Sequence, residues 1–88
     1  MYQVAKGVRS THGQDGAIVL DIQQGQMFNL NLVGSRILSL LKEGAAQADI
    51  VDEIVREFGV SLGRAENDVQ QFLETLKKNH LVENDDQT

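Results

Sequence analysis

The stretch GQMFNLN, residues 25–31, separates two parts of the chain that differ in hydrophobic periodicity. Before it, short segments alternate between apolar and polar residues, as strands with one buried face do. After it, apolar residues recur every three or four positions, which is typical of amphipathic helices. The stretch itself alternates around Phe28 and Leu30 and ends in Asn31, a good helix N-cap residue. It therefore predicts the last strand of a small sheet, followed directly by a helix.

Two shorter stretches upstream predict the other strands of an antiparallel meander. Residues 8–11 are rich in β-branched side chains, and residues 17–22 alternate with period two. The Asp15-Gly16 pair between them is a strong tight-turn signal, because glycine tolerates a positive φ. The alternation divides the second strand into one face with three aliphatic residues, Ile18, Leu20 and Ile22, and an opposite face with Val19 and Asp21.

Three helices are predicted after residue 31. The first begins at Leu32 behind the cap Asn31 and ends near Gly44, and the second ends at Gly59. Ser61 caps the third and longest helix. Its apolar residues hold the spacing i, i+4, i+7, i+8 and i+11, namely Ala65, Val69, Phe72, Leu73 and Leu76.

The element order βββααα predicts a single α+β domain over residues 1–83, with a three-stranded antiparallel sheet covered by three helices. This is also the inventory of a winged helix-turn-helix. Leu81 and Val82 are expected to pack back onto the core, and residues 84–88 to form a frayed polar tail.

The composition excludes several classes of function. The chain has 88 residues, of which 41% are hydrophobic and 24% charged, and this is ordinary for one globular domain. It contains no cysteine, which removes disulfides, thiolate nucleophiles and sulfur-based zinc sites. No apolar run approaches the roughly 18 residues of a membrane span, and the N-terminal residues do not resemble a secretory signal, so we expect a cytoplasmic protein with no membrane partner.

The sequence also argues against catalysis. The two histidines, His12 in a predicted turn and His80 beyond the third helix, are isolated, and no Gly-rich phosphate loop is present. We therefore expect no catalytic residues, no metal site and no cofactor.

Nucleic-acid binding is the alternative that the winged-helix inventory raises. The third helix would be the recognition element, yet its first turns carry Glu66 and Asp68, and the net charge is −5. Such groups repel phosphates, which usually supply much of the affinity for nucleic acids. A small DNA-binding regulator is thus the second hypothesis, and no nucleic-acid partner is expected.

The predicted last strand has no protection against strand pairing. Exposed edges are usually blunted by charge, proline or a bulge, and residues 26–30 carry neither charge nor proline. The strand is either covered within the fold or open for the addition of a peptide strand.

The motifs in their order resemble the PqqD-like family, the recognition elements of ribosomally synthesised and post-translationally modified peptides (RiPPs). They are the strand ending in Leu30-Asn31, Gly34 with the helix segment 37–41, and the pattern Asp68-Val69-x-x-Phe72-Leu73-x-x-Leu76. The resemblance covers about residues 8–83. It implies a winged helix-turn-helix fold that binds peptide rather than DNA.

In that family the leader region of a precursor peptide adds as an antiparallel strand to the third strand, beside the third helix. The element carries no chemistry and presents the precursor to a separate processing enzyme, such as a leader peptidase or a radical enzyme. The chain is similar in size to the B protein of lasso-peptide clusters and to the PqqD proteins. Because it has neither proline nor tryptophan, it resembles the proteins of lasso-peptide clusters, or of another kind of peptide cluster, more than PqqD proper.

Carried onto this sequence, the resemblance implies a peptide-binding site with two parts. The backbone of the last strand would pair with the leader, through Gln26, Met27, Phe28, Asn29 and Leu30. The third helix would contribute a stripe at i, i+4, i+7 and i+11, namely Arg64, Asp68, Gln71 and Thr75. Phe72 is expected to floor an apolar pocket with Met27, and Asp68 to bind a leader hydroxyl or cation. We expect a monomer, or a weak dimer through the same strand edge.

Overall fold

A computed structural model describes residues 2–84 of the chain and contains five strands and three helices. The elements are β1 (Tyr2–Val4), β2 (Val8–Gly13), β3 (Gly16–Asp21), β4 (Gln26–Leu30), α1 (Leu32–Lys42), α2 (Gln47–Phe58), α3 (Leu62–Lys78) and β5 (Val82–Asn84). The predicted α+β order, with three antiparallel strands followed by three helices, is confirmed. The short strands β1 and β5 were not predicted.

The strands β2, β3 and β4 form one antiparallel sheet in that order. Gly16, at the start of β3, lies very close to the end of β4. Its φ is +143°, and a β-carbon placed on it would lie 1.9 Å from the backbone oxygen of Leu30. Only glycine leaves room for this approach. The turn between β2 and β3 is formed by residues 14–15, so Gly16, predicted as a turn residue, is instead the first residue of β3 and permits its close contact with the end of β4.

The inner face of the sheet carries the smaller side chains of β3. Ala17, Val19 and Asp21 are buried, whereas Ile18, Leu20 and Ile22 are exposed. The period-two alternation is as predicted, but the more apolar set points away from the helices. The burial of Asp21 is possible because its carboxylate accepts hydrogen bonds from the backbone N–H groups of residues 23 and 24, at 3.1 and 3.2 Å.

The helices α1 and α3 begin directly after their predicted caps, and α2 ends at its predicted glycine, whereas the C-cap of α1 is Glu43, one residue before the predicted Gly44. The Asn31 side chain accepts a hydrogen bond from the Gly34 N–H at 2.8 Å, and Ser61 accepts one from the Arg64 N–H at 3.2 Å. Ala46 provides no side-chain cap for α2, while Gly59 ends that helix with a φ of +67°. The largest fully buried side chains form the core between helices and sheet: Val19, Ile37, Leu38, Ile50, Ile54, Val69, Leu73 and Leu76.

The two ends of the described chain pair with each other. β1 and β5 form an antiparallel two-stranded ribbon in which Val4 lies opposite Val82. Leu81 and Val82 are buried, as predicted, because the backbone reverses after α3 and returns to the core. The predicted frayed tail, residues 84–88, lies outside the described residues except for Asn84, which ends β5.

A polar chain connects β2 to α1. His12, which lies in β2 rather than in a turn, has its Nδ1 2.7 Å from the Ser35 hydroxyl and its Nε2 3.1 Å from the Ser10 hydroxyl. Lys42 donates to the Ser10 oxygen at 2.9 Å. The directions of the two His12 bonds are set by the imidazole tautomer, since each serine hydroxyl can donate or accept. Partial burial, followed by the nearby Lys42 charge, lowers the pKa of His12.

None of the helices within residues 2–84 is long and apolar enough to cross a membrane.

Candidate functional site

The outer edge of β4 is unpaired within residues 2–84, since β4 is the last strand in the order β2-β3-β4. The direction of its backbone groups follows from its neighbours. The Ile22 N–H bonds back to Gly7, on the β2 side, while the Asp21 oxygen accepts from the Gly25 N–H, on the β4 side. Because backbone groups alternate along a strand, the odd-numbered residues of β3 point their backbone groups at β4.

The register then assigns each residue of β4 to one side. The partners of those odd-numbered residues, Gln26, Phe28 and Leu30, bond to β3. Met27 and Asn29 therefore direct their N–H and C=O groups at the open edge. Two donors and two acceptors, spaced two residues apart, are available there for a further strand.

Side chains of β4 point alternately inward and outward. Phe28 and Leu30 are half-buried and pack against the core, whereas Met27 and Asn29 are exposed on the outer face of the sheet. Met27 retains 65% of its surface. The pocket predicted between Met27 and Phe72 is therefore not formed, because a one-residue step along a strand reverses the side chain and places Met27 on the face away from α3.

A cleft of about 450 Å³ lies between the start of α1 and the outward side of α3. It brings together the five helix residues predicted from the sequence, Arg64, Asp68, Gln71, Phe72 and Thr75. Four residues of the α1 wall were not predicted as part of the site: Asn31, Val33, Gly34 and Ile37.

The floor of the cleft depends on a close contact between its two walls. Phe72 packs against the core, and a β-carbon built on Gly34 would lie 3.1 Å from its Cε1 atom and 3.3 Å from its Cζ atom. Glycine at this position lets the aromatic ring lie against the first turn of α1. Asn31, Gly34 and Ile37 recur at intervals of three along this wall. This spacing, which starts at a predicted N-cap, is the sequence signal that could have indicated that they share one face of α1.

The rim of the cleft on α3 is polar. The Arg64 Nε lies 3.6 Å from an Asp68 carboxylate oxygen, and both side chains are substantially exposed. The Thr75 hydroxyl donates to the Gln71 backbone oxygen at 3.0 Å, which leaves its oxygen able to accept a hydrogen bond. The cleft thus combines an aromatic floor with one cation, one carboxylate and neutral polar groups.

None of the predicted strand residues 26–30 lines the cleft, but Asn31, which directly follows β4, does, so the cleft begins where the open edge ends. A strand added beside β4 would direct alternate side chains toward the inner face of the sheet, where the cleft lies. Residues 2–84 contain no group of three or more side chains suited to holding a metal ion. The arrangement is suited to holding an extended peptide.

Comparison with known proteins identifies relatives over most of the chain. A family model described as Coenzyme PQQ synthesis protein D (PqqD) matches residues 16–82. The structure of TbiB1 in complex with the TbiA(beta) leader peptide has 40% sequence identity and a TM-score of 0.86, covering 92% of this chain and 94% of that one. No match was found among curated proteins.

A second solved structure is similar in fold. It is a lasso peptide synthetase B1 complexed with the leader peptide, with 23% identity and a TM-score of 0.85, covering 94% of this chain and 98% of that one.

Proposed function

Because the chain belongs to the PqqD family, we propose that it binds the leader region of a ribosomally synthesised precursor peptide and presents it to a separate modifying or processing enzyme. The observation that carries this proposal is the open edge of β4 beside the cleft between α1 and α3. A relative with 40% identity was solved with a leader peptide bound, which supports the same class of ligand here.

The leader adds to β4 as an antiparallel strand. Its backbone pairs with the outward N–H and C=O groups of Met27 and Asn29, which gives affinity with little demand on sequence. Its inward side chains enter the cleft, where specificity arises. A leader that is disordered when free loses conformational entropy on binding, so the affinity is moderate for the area buried.

The cleft favours a leader segment with one apolar side chain flanked by polar ones. The Phe72 ring provides the apolar surface, and Asp68 accepts a hydrogen bond from a leader hydroxyl or pairs with a leader cation. Because Arg64 and Asp68 are exposed, their ionic contributions are small, about 0–1 kcal/mol each. Apolar contact with Phe72 therefore contributes more to affinity than the charges do.

The precursor that fits best is of the lasso-peptide type or belongs to a related RiPP cluster. The absence of proline and tryptophan makes the chain resemble the lasso type more than PqqD proper. The chemistry is carried out in the cytoplasm by the partner enzyme, such as a leader peptidase or radical enzyme, and the chain itself acts as an adaptor. It acts as a monomer or as a weak dimer through the strand edge.

A DNA-binding role has less support. Glu66 and Glu74 on α3 are exposed, and Asp68 is half-exposed, so phosphates approaching this helix meet carboxylates. In a gel-retardation assay at low salt, this protein should therefore leave the migration of duplex DNA unchanged.

The experiment that tests the proposal is a titration followed by heteronuclear NMR. The probe is a synthetic peptide spanning the leader of the precursor encoded beside this chain. We expect changes in amide chemical shift at residues 26–30 and at the residues of α3 that line the cleft. Shifts confined to residues 32–60, with residues 26–30 silent, would overturn the strand-addition model.

A further inference from the structure

The outer face of the three-stranded sheet is apolar at its centre. Ile18, Leu20 and Met27 are 48%, 42% and 65% exposed, although Val19 between the first two is almost fully buried. These side chains do not pack in the core, because they point away from the helices. They are neighbours in the sheet register, and a contiguous exposed apolar patch is typical of an interaction surface.

Met27 lies where this apolar face meets the open edge. It is opposite Leu20 in the register, and Leu20 is opposite Arg9 on β2. The Leu20–Met27 pair is of the non-hydrogen-bonded kind, because the backbone groups of Met27 point outward, and side chains in such pairs lie close together. Met27 therefore has an apolar neighbour on one side and no strand on the other within residues 2–84.

A peptide strand on this edge has two sets of side chains. Those opposite Phe28 and Leu30 point inward, toward the cleft. Those opposite Met27 and Asn29 point outward, onto the same face as Ile18 and Leu20. The residue opposite Met27 forms a directly hydrogen-bonded pair with it, and the β-carbons in such a pair are about 5 Å apart.

We propose that Met27, backed by Leu20, is a second subsite for the bound peptide, which takes an apolar side chain of the leader on the outer face of the sheet. The leader is thus recognised on both of its faces, by the cleft on the inner one and by Met27 on the outer one. This inference rests on the proposed leader-binding function. It adds a requirement for an apolar leader residue at an outward position, which the cleft alone does not impose.

The position of Met27 favours the leader as its occupant. The subsite is continuous with the edge to which the leader binds, and residues 26–30 carry no charge that would oppose an apolar side chain. The one charged side chain in this row, Arg9, is two strands away, roughly 10 Å. Face-to-face pairing of two copies would bring together two chains that each carry a net charge of −5.

The test compares Met27→Thr with Ile22→Thr by calorimetric titration of the leader peptide. Both residues are exposed aliphatics and receive the same replacement, which suits strand and turn alike, but Ile22 lies in the turn outside the edge strand. We expect Met27→Thr to weaken leader binding about 5-fold, in keeping with partial burial of one apolar side chain, and Ile22→Thr to change it less than 2-fold.

A double-mutant cycle identifies the leader residue involved. The outward leader residue found opposite Met27 by NMR contacts is replaced by alanine, and the loss should shrink when Met27→Thr is already present. Equal losses in both backgrounds would overturn the inference.

Other outcomes separate the two proposals. If the wild-type protein does not bind the leader, the proposed function fails. If it binds, and Phe72→Ala weakens binding while Met27→Thr does not, only the outer subsite fails. If Met27→Thr leaves the titration unchanged but slows leader processing by the partner enzyme, or abolishes self-association in sedimentation, the outer face belongs to that enzyme or to a second copy, and the inference is overturned.

Discussion

A β-carbon placed on Gly34 would lie 3.1 Å from Cε1 of Phe72, so the first turn of α1 and the middle of α3 meet at a point where only glycine leaves the aromatic ring undisturbed. This contact sets the floor of the cleft. It links two residues that are far apart in sequence and belong to different walls of the candidate site.

Replacing Gly34 by alanine should change ligand binding more than stability. Alanine is favoured over glycine in a helix by about 1 kcal/mol, and this gain offsets the crowding against Phe72, so the free energy of unfolding in urea should change by less than about 1 kcal/mol. The displaced ring should weaken leader binding roughly 3- to 10-fold, measured by calorimetric titration.

Gly63 provides the matched control for this substitution. It lies in the first turn of α3, and a β-carbon built on it meets no atom within 4 Å. Gly63→Ala should stabilise the protein by about 0.5–1 kcal/mol and leave leader affinity unchanged. Identical binding by Gly34→Ala and the wild type would show that the ring position does not matter to the ligand.

Substitution of Asn29 by proline tests the direction of the free backbone groups. Asn29 directs its N–H at the open edge, so proline removes no hydrogen bond within the sheet, and edge strands tolerate it. We expect the NMR spectrum of a folded protein together with a loss of leader affinity of at least about 10-fold. Phe28→Pro, which removes a hydrogen bond to β3, should instead unfold the sheet. An unfolded Asn29→Pro together with a folded Phe28→Pro would show that Phe28, not Asn29, directs its backbone groups at the open edge.

Truncation of Phe72 and of Asp68 tests the placement of the cleft. Phe72→Ala should weaken leader binding by at least about 1 kcal/mol, and Asp68→Ala by less, because the carboxylate is partly exposed. Glu66→Ala is the control, since Glu66 lies on the side of α3 that faces α2. The cleft is misplaced if neither Phe72→Ala nor Asp68→Ala reaches about 1 kcal/mol, with circular dichroism verifying that each variant is folded.

Protonation of His12 should destabilise the protein at acid pH. The pKa of His12 is lowered in the folded protein by burial and by Lys42, so the unfolded chain takes up the proton first as the pH falls. Stability associated with neutral His12 is therefore fully present above about pH 6.5, the ordinary value, and is lost as the pH falls toward the folded pKa.

Urea unfolding of His12→Asn at pH 7.5 and 5.5 measures this contribution. Asparagine can still donate to Ser35 but does not titrate. The decrease in unfolding free energy between the two pH values should be smaller in this variant than in the wild type. Equal decreases would show that His12 does not couple folding to pH.

Gly16 is predicted to be among the least replaceable residues. An added β-carbon would lie 1.9 Å from the Leu30 oxygen, and the φ of +143° is strained for any other residue. Gly16→Ala should cost about 3 kcal/mol or more in thermal or chemical unfolding. Gly13→Ala, across the same hairpin and with no atom within 4 Å of the added carbon, should cost less than about 1 kcal/mol.

Local signals in the sequence predicted most of the elements. Asn31 and Ser61 cap α1 and α3, Gly59 ends α2, and a tight turn joins β2 to β3, although residues 14–15 form it rather than the predicted Asp15-Gly16 pair. Each of these depends on hydrogen bonds or backbone angles within a few residues, which is why the residue type alone indicates them. The third-helix stripe was predicted for the same reason, because helical spacing determines which residues share a face.

The short strands β1 and β5 could not be found this way. Each has three residues, too few to show a hydrophobic period. They pair only because the fold brings the two ends of the described chain side by side against the core. The pocket expected between Met27 and Phe72 was wrong for a related reason. Sequence spacing shows that Met27 and Phe28 point to opposite faces, but not which face is turned toward α3.

The order of β2, β3, β4 and the three helices, most of their ends, and the lack of charge and proline on β4 are properties of neighbouring residues, so the amino-acid sequence alone was enough to predict them. The folded chain was needed to show that Val19 and Asp21 rather than Ile18 and Leu20 face the core, that β4 lies at the edge of the three-stranded sheet, and that Gly34 meets Phe72. These depend on packing between segments far apart in the chain, and alternation or helical spacing defines two faces without stating which one is buried.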